Sequence, residues 1–256
     1  MKHKKTLALI ILSFIVYVIY ACFHTNKLNY LALGDSLSVG INSYGEEIYS
    51  YSDYISFYLE KNNLLKHYTK AFSNPTNQIH DVKNQLETNQ TIQQEQKDLS
   101  LKKCLRESDL VTLSVGINDL LTKLNLTSLD VSTLDEKEII PLINNIVTDL
   151  EALFKQLRTY AKRKIVFLGY YNPFPTKTLQ TERIFAYLNY QVKKLCKKYD
   201  IKYIDIDTLL KKDPAYLPNP TNIHPSAKGY EAISEKIIQE LNFWNFYCTI
   251  AKNLLY

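Results

Sequence analysis

Residues 28–40, Leu-Asn-Tyr-Leu-Ala-Leu-Gly-Asp-Ser-Leu-Ser-Val-Gly, decide the fold. Leu28, Tyr30, Leu31 and Leu33 form a short apolar run that reads as a buried strand, and Gly34, Asp35 and Ser36 break it with turn residues before Gly40 closes the segment. Ser36 is thereby set where a strand ends and a helix begins. A hydroxyl there is lifted clear of the backbone, and the amides that follow point at whatever negative charge develops beside it. That is the placement a nucleophilic serine needs. The same residue types also build ordinary turns and helix N-caps, so the stretch gains its meaning from the rest of the chain.

Working outward, Leu110 to Val115 and Lys164 to Tyr170 are continuous apolar runs, as strands buried on both faces should be. His67 to Phe72 and Ile201 to Ile206 supply two more strands. Helical spacing covers Tyr51 to Leu65, a long segment running from about Ile140 through Leu157, and about Thr178 to Tyr199. Residues 73–107 are rich in Gln and Asn, with helical patches at Ile79 to Leu86 and Leu99 to Leu105. Strands alternating with helices imply a parallel sheet covered on both sides, with sites at the carboxyl ends of strands, where Ser36 and Asn118 fall. After residue 24 there is no linker or internal repeat, so one domain over 24–256 is expected.

Two further polar turns join the Ser36 turn: Gly116-Ile117-Asn118-Asp119 after the Leu110 strand, and Ile223-His224-Pro225 before the last amphipathic helix. In order and spacing, Gly34-Asp35-Ser36-Leu37, Gly116-Ile117-Asn118-Asp119 and His224-Pro225 followed by Gly229-Tyr230 resemble the blocks of the SGNH, or GDSL, family of serine esterases and lipases. Tyr171-Asn172-Pro173-Phe174 is similar to a segment of its bacterial lipase and acylhydrolase branch. The resemblance spans roughly residues 28 to 241. It implies a three-layer α/β/α sandwich with a central parallel sheet of about five strands, SGNH-hydrolase-like and flavodoxin-like. Ser36, Gly116, Asn118 and His224 are the site residues it carries over.

By role, His224 takes the Ser36 proton as the hydroxyl attacks an ester carbonyl, returns it to the leaving alcohol, and water then resolves the acyl-enzyme. The Ser36 amide and the Asn118 side chain are expected to hold the oxyanion, each donor being worth roughly 3 kcal/mol of barrier. The bland readings are a structural histidine at 224 and a turn residue at 118. Two departures from the family stand out. Its acid partner, three residues before the histidine, falls on Thr221, whose hydroxyl or a backbone carbonyl would have to fix the His224 tautomer; Asp205, Asp207 and Asp213 are the fallback acids. An aspartate at 221 should then raise turnover. The family's oxyanion glycine is also missing, since no glycine lies between Gly45 and Gly116. Asn74 stands in its place, a residue type that adopts positive φ more readily than most. Asp35 and Asp119 read as loop braces, and His80-Asp81 as a solvated pair.

Composition bounds the rest. The chain has 256 residues, 46% hydrophobic and 22% charged, with a net charge of +5, an ordinary globular balance. Lysines gather at 2–5, 193–198 and 211–212; they read as solvated faces or as contacts to anionic lipid or wall polymer, and no nucleic-acid motif accompanies them. Lys2, Lys4 and Lys5 precede an uncharged run from Thr6 to Phe23, which suits a signal sequence or a single membrane anchor with the enzyme on the extracytoplasmic side. An uncleaved anchor comes first, cleaved secretion second, and a lipoprotein on Cys22 third. Cys104, Cys196 and Cys248 are an odd set without metal-ligand spacing and read as thiols, with one bonded pair left open. The aromatic tail from Leu241 to Tyr256 packs on the domain, dips into a membrane interface or covers an acyl pocket. The reaction needs no cofactor and no metal, and a monomer is expected. Its substrate is an ester of a lipid, a short acyl group or an acetylated glycan. The alternative is a catalytically weakened lipid- or glycan-binding module on the same fold.

Overall fold

The computed structural model describes residues 27–94, 97–123, 136–174 and 178–242. In chain order the elements are β1 (Leu28–Gly34), α1 (Ser36–Val39), α2 (Tyr51–Lys61), β2 (Leu65–Thr69), α3 (Ile79–Glu87), β3 (Thr91–Gln94), β4 (Lys97–Ser100), α4 (Leu101–Glu107), β5 (Leu110–Ser114), α5 (Ile117–Lys123), α6 (Glu136–Tyr160), β6 (Lys164–Leu168), α7 (Leu179–Lys198), β7 (Lys202–Ile204), α8 (Asp207–Leu210), a 3₁₀ turn (Pro214–Tyr216) and α9 (Ala227–Leu241). The expected anchor over 1–23, Cys22, Cys248 and the tail beyond residue 242 lie outside the described residues. Among the described residues no helix is long and apolar enough to cross a membrane. Cys104 and Cys196 are free thiols.

Five parallel strands form the central sheet in the order β2-β1-β5-β6-β7. From β1 the chain steps to β2 on one side and to β5 on the other. The order therefore reverses between β1 and β5, and a crevice outside their carboxyl ends is where such sheets place a site. Tyr30 pairs with Leu110 and Gly34 with Ser114, so the Ser36 turn and the Gly116 turn leave the sheet side by side.

Alternation along each strand divides the core into two layers. Leu31, Leu33, Val111, Leu113, Ile165 and Phe167 face α3, α4, α6 and α7. Leu28, Tyr30, Ala32, Leu110, Val166 and Leu168 face α2, α8 and α9. Tyr51, Ile55 and Leu59 of α2 are each completely buried against that second face, at about 1.5–3 kcal/mol per side chain.

Two local readings change. The second strand starts at Leu65, which pairs with Leu28, and ends at Thr69; Phe72 lies beyond it and enters the core from the loop. Residues 91–94 and 97–100, which lie in the Gln- and Asn-rich stretch where the sequence predicts a helical patch only from Leu99 onward, pair as the antiparallel strands β3 and β4 of a hairpin. Its half-buried Ile92 and Leu99 pack on the main core, a tertiary contact that local composition does not reveal.

Candidate active site

β1 delivers Ser36 through a turn that only glycine can begin. Gly34 has φ +137°, and a Cβ there would lie 1.8 Å from the Ser114 carbonyl oxygen. Asp35 N–H donates to that carbonyl at 2.8 Å and Ser114 Oγ donates to Asp35 Oδ1 at 2.9 Å, which seats the turn on the end of β5. The same Oδ1 caps α1 by accepting Leu37 N–H at 3.1 Å. Gly40, with φ +102°, closes α1 through its N–H on the Ser36 carbonyl at 2.8 Å. Ser36 sits at the first position of this helix, 4% exposed, and its N–H has no hydrogen-bond partner among the described residues. Burial drives the Asp35 carboxyl up to about 7.

The second block is built by Gly116, at φ +112°, packed so closely on Tyr170 that a Cβ would fall 2.2 Å from the phenol oxygen. Asn118 follows in α5 and donates both side-chain N–H bonds, to the Pro75 and Asn77 carbonyls, each at 3.0 Å. Both partners are pure acceptors, so the amide nitrogen must face them. Segment 74–77 is also tied to the nucleophile turn, because the Asn74 N–H and the Asn77 side-chain amide both donate to the Gly34 carbonyl at 3.0 Å. Asn74 thus joins the blocks, but not as expected. Its amide is engaged with Gly34, and it is absent from the residues with positive φ. Asp119 braces the start of α3 by accepting Ile79 N–H at 3.0 Å, and burial raises its carboxyl.

The third block reverses the expectation about support for the histidine. Thr221 is exposed and turned away; its hydroxyl and its N–H both donate to Asn219 Oδ1, at 2.8 and 3.0 Å. The residue that reaches His224 is Asn222. Its Oδ1 accepts the His224 N–H at 2.9 Å and lies 2.6 Å from His224 Nδ1. Since the backbone N–H can only donate, oxygen is the Asn222 atom in that position, and Nδ1 must carry the ring proton. Nε2 is left with a free lone pair. The fallback acids are committed elsewhere: Asp205 caps Thr208, Asp207 holds Asn172 N–H and Lys211, and Asp213 caps Ala215. Asn222 had a readable signal, since Asn readily accepts from the amide two residues on.

The histidine loop is fastened to the nucleophile side. Asn219 donates to the Ser43 carbonyl at 2.7 Å, and the Tyr230 hydroxyl, fully buried in α9, donates to the Ile41 carbonyl at 2.6 Å. Tyr171, from the Tyr171-Asn172-Pro173-Phe174 segment, donates to the Ile223 carbonyl at 2.5 Å. No hydrogen bond joins Ser36 Oγ to His224. Burial without a compensating charge lowers the His224 imidazolium to about 4. His80 and Asp81 form an exposed pair at 3.0 Å on α3.

The model of the GDSL-like lipase/acylhydrolase family matches residues 32–232. The chain is similar to the spore germination lipase LipC of Bacillus licheniformis, with 26% identity over 220 residues that cover 82% of this chain and 94% of that protein. Among solved structures it is similar to the lipase Lip_vut3 from a goat rumen metagenome, at 23% identity and a TM-score of 0.64, covering 82% of this chain and 96% of that one. It is also similar to Axe2, an acetylxylan esterase from Geobacillus stearothermophilus, at 16% identity and a TM-score of 0.60, covering 84% and 94%. These two structures share its three-layer fold.

Proposed function

The chain belongs to the GDSL-like lipase/acylhydrolase family and is a carboxylic ester hydrolase; from that premise we propose that Ser36 is its nucleophile, His224 its base, and Asn222 the residue that positions the base. The observation that carries this reading is the 2.6 Å contact between Asn222 Oδ1 and His224 Nδ1. It leaves Nε2 as the acceptor for the Ser36 proton. Because the imidazolium is lowered to about 4, the ring is neutral and ready to accept at any pH well above that.

In the first half-reaction Ser36 Oγ bonds to the ester carbonyl carbon while its proton passes to His224 Nε2. The intermediate collapses, the bond to the alcohol oxygen breaks, and the imidazolium returns the proton to the departing alcohol. Water then repeats the sequence on the acyl-enzyme, releasing the acid and Ser36. The unpartnered Ser36 N–H is the first oxyanion donor. Asn118 becomes a second when one of its N–H bonds turns from the Pro75–Asn77 segment to the substrate oxygen. A neutral Asn222 supplies orientation but no charge to stabilise the imidazolium, so turnover is slower than an aspartate would give.

Lipids, short acyl esters and acetylated glycans all fit this chemistry, and the acetylxylan esterase named above is one structural precedent. The basic and uncharged segment at residues 1–23 supports an extracytoplasmic enzyme. The test incubates the full chain with a fluorophosphonate probe and with nitrophenyl esters of short and medium acyl length, beside Ser36→Ala. Labelling and turnover that both vanish in the variant support the nucleophile. A folded wild type showing neither would leave a binding module as the reading of this cleft.

A further inference from the structure

Tyr171 stands beside the immediate neighbour of each of the three residues assigned to the chemistry. Its hydroxyl donates to the carbonyl of Ile223, the residue before His224, at 2.5 Å. It also lines a cavity of about 20 Å³ together with Leu37, the residue after Ser36, and Ile117, the residue before Asn118. Tyr171 is 7% exposed and belongs to the core layer that holds Leu37 and Tyr230. One buried side chain just beyond β6 thus lies between the turns that leave β1 and β5 and the histidine loop.

The backbone on either side of Tyr171 is clasped. Asn189 of α7 accepts the Tyr170 N–H at 2.9 Å and donates to the Tyr170 carbonyl at 2.7 Å. On the other side Asn172 is 1% exposed; its N–H donates to Asp207 at 3.0 Å, its side chain donates to Thr181 at 3.1 Å and Glu182 at 2.9 Å, and its Oδ1 accepts the Phe174 N–H at 3.1 Å. Lys211 ties Asp207 to Glu182. α7 and α8 therefore mount Tyr171 firmly. Burial holds its phenol above the ordinary tyrosine range, so the hydroxyl keeps its proton and always donates.

The far end of the Tyr171 bond is the peptide unit that carries the base. Tyr171 holds its oxygen, the Ile223 carbonyl, and Asn222 Oδ1 accepts its N–H, that of His224, at 2.9 Å. Asn222 belongs to the same loop, so it orients the ring within the loop and leaves the distance from the loop to Ser36 unset. The bonds from Asn219 to Ser43 and from Tyr230 to Ile41 fasten the chain further from His224 on either side. Tyr171 fixes the peptide unit itself. We propose that Tyr171 is a positioning residue for the hydrolysis, setting the separation of His224 Nε2 from Ser36 Oγ through the Ile223 carbonyl. The inference rests on the reading of Ser36 as nucleophile and His224 as base. Proton transfer by a placed base is sensitive to displacements of an ångström or less, which is the tolerance a rigid mount supplies. The Tyr171-Asn172-Pro173-Phe174 segment thereby gains a role, with Asn172 as the mount and Tyr171 as the post.

The test compares the full chain as wild type, Tyr171→Phe, His224→Ala and the double variant. Phenylalanine keeps the ring in its buried place and removes only the hydroxyl. Turnover of nitrophenyl acetate and the rate of labelling by a fluorophosphonate are read well below the melting temperature of each protein, so that lost stability does not enter. Tyr171→Phe should lower kcat and the labelling rate by about tenfold or more, with KM within about twofold of wild type. In the His224→Ala background no base remains to be placed, and the same change should leave the residual turnover unaltered. A wild-type kcat in Tyr171→Phe overturns the proposal. So does an equal proportional fall in both backgrounds, because the hydroxyl would then act on the fold or on the oxyanion side and not through the base. Two other outcomes remove the premise and the proposal with it: a folded wild type that neither turns over nor is labelled ends the hydrolase reading, and undiminished activity in His224→Ala ends the base assignment.

Discussion

Asn222 Oδ1 accepts both the backbone N–H and the ring Nδ1–H of His224, at 2.9 and 2.6 Å. One neutral oxygen therefore sets the backbone turn and the tautomer together. Orientation is supplied in full, and charge is not supplied at all.

Asn222→Asp should restore the missing charge. A carboxylate in contact with Nδ1 raises the imidazolium from about 4 and stabilises it in the transition state, so turnover on nitrophenyl acetate should rise by about tenfold or more. The acid limb of the pH–rate profile, which requires a neutral base, should move to higher pH. Asn222→Leu should lower turnover by about 10- to 100-fold. Thr221→Asp should give little gain, because the Thr221 side chain is turned to Asn219. Full pH profiles of the three variants check these outcomes.

Asn118→Ala removes two hydrogen bonds that hold the Pro75–Asn77 segment. If one of those donors also serves the oxyanion, kcat should fall by about 100-fold, and the thermal midpoint should drop as well. Asn118→Asp should unfold at lower temperature still, since a carboxylate would face two carbonyl oxygens. Parallel measurement of kcat and melting temperature separates the two contributions.

Stability against pH should show two opposed slopes. His224 is lowered to about 4, so between pH 4 and 6.5 the unfolded chain binds the extra proton and stability rises with pH, by about 3 kcal/mol across the window. Asp35 is raised to about 7, so from pH 4 to 7 the folded chain holds the extra proton and stability falls. The wild type should therefore vary little over this range. Asp35→Asn keeps the bonds to Leu37 and Ser114 and removes the falling slope, so its melting temperature should climb from pH 4 to 6.5. Asp119, also raised by burial, keeps a falling contribution in that variant; adding His224→Gln should reduce the climb further, and an unchanged profile on that addition would contradict the His224 assignment.

Gly116→Ala should destabilise by about 2–4 kcal/mol, from a strained positive φ and a methyl driven toward the Tyr170 hydroxyl. In a Tyr170→Phe background part of that cost should disappear. The backbone strain should remain, at about 1 kcal/mol. Tyr170→Phe alone should cost about 1 kcal/mol through loss of its 2.9 Å bond to the Val115 carbonyl. Denaturant unfolding of the four proteins gives the coupling directly.

Much of the architecture was legible because burial imposes a pattern on the chain. Runs such as Leu110 to Ser114 are apolar throughout since both faces of the sheet are covered, and α2 shows its buried side through Tyr51, Ile55 and Leu59. The β3–β4 hairpin escaped that logic. Its polar residues carry no clear period, and its position depends on where Ile92 and Leu99 meet a core assembled from distant segments. The blocks around Ser36, Asn118 and His224 were visible as interruptions of periodic structure; the first two lie together because β1 and β5 end side by side, and the histidine loop is fastened to the nucleophile side by the Asn219 and Tyr230 hydrogen bonds.

Sequence by itself determined the strand and helix alternation, the parallel sheet, and the three polar turns, those of Ser36 and Asn118 at its carboxyl edge and that of His224 before the last helix, because hydrophobic period and turn chemistry are local properties. Only the tertiary structure decided which polar group touches which. Asn222 rather than Thr221 supports His224, the Asn74 amide is spent on Gly34, and Asn118 holds a segment more than forty residues away. Hydrogen bonds depend on position to within a few tenths of an ångström and on direction. That precision arises only when packing has fixed every loop against its neighbours.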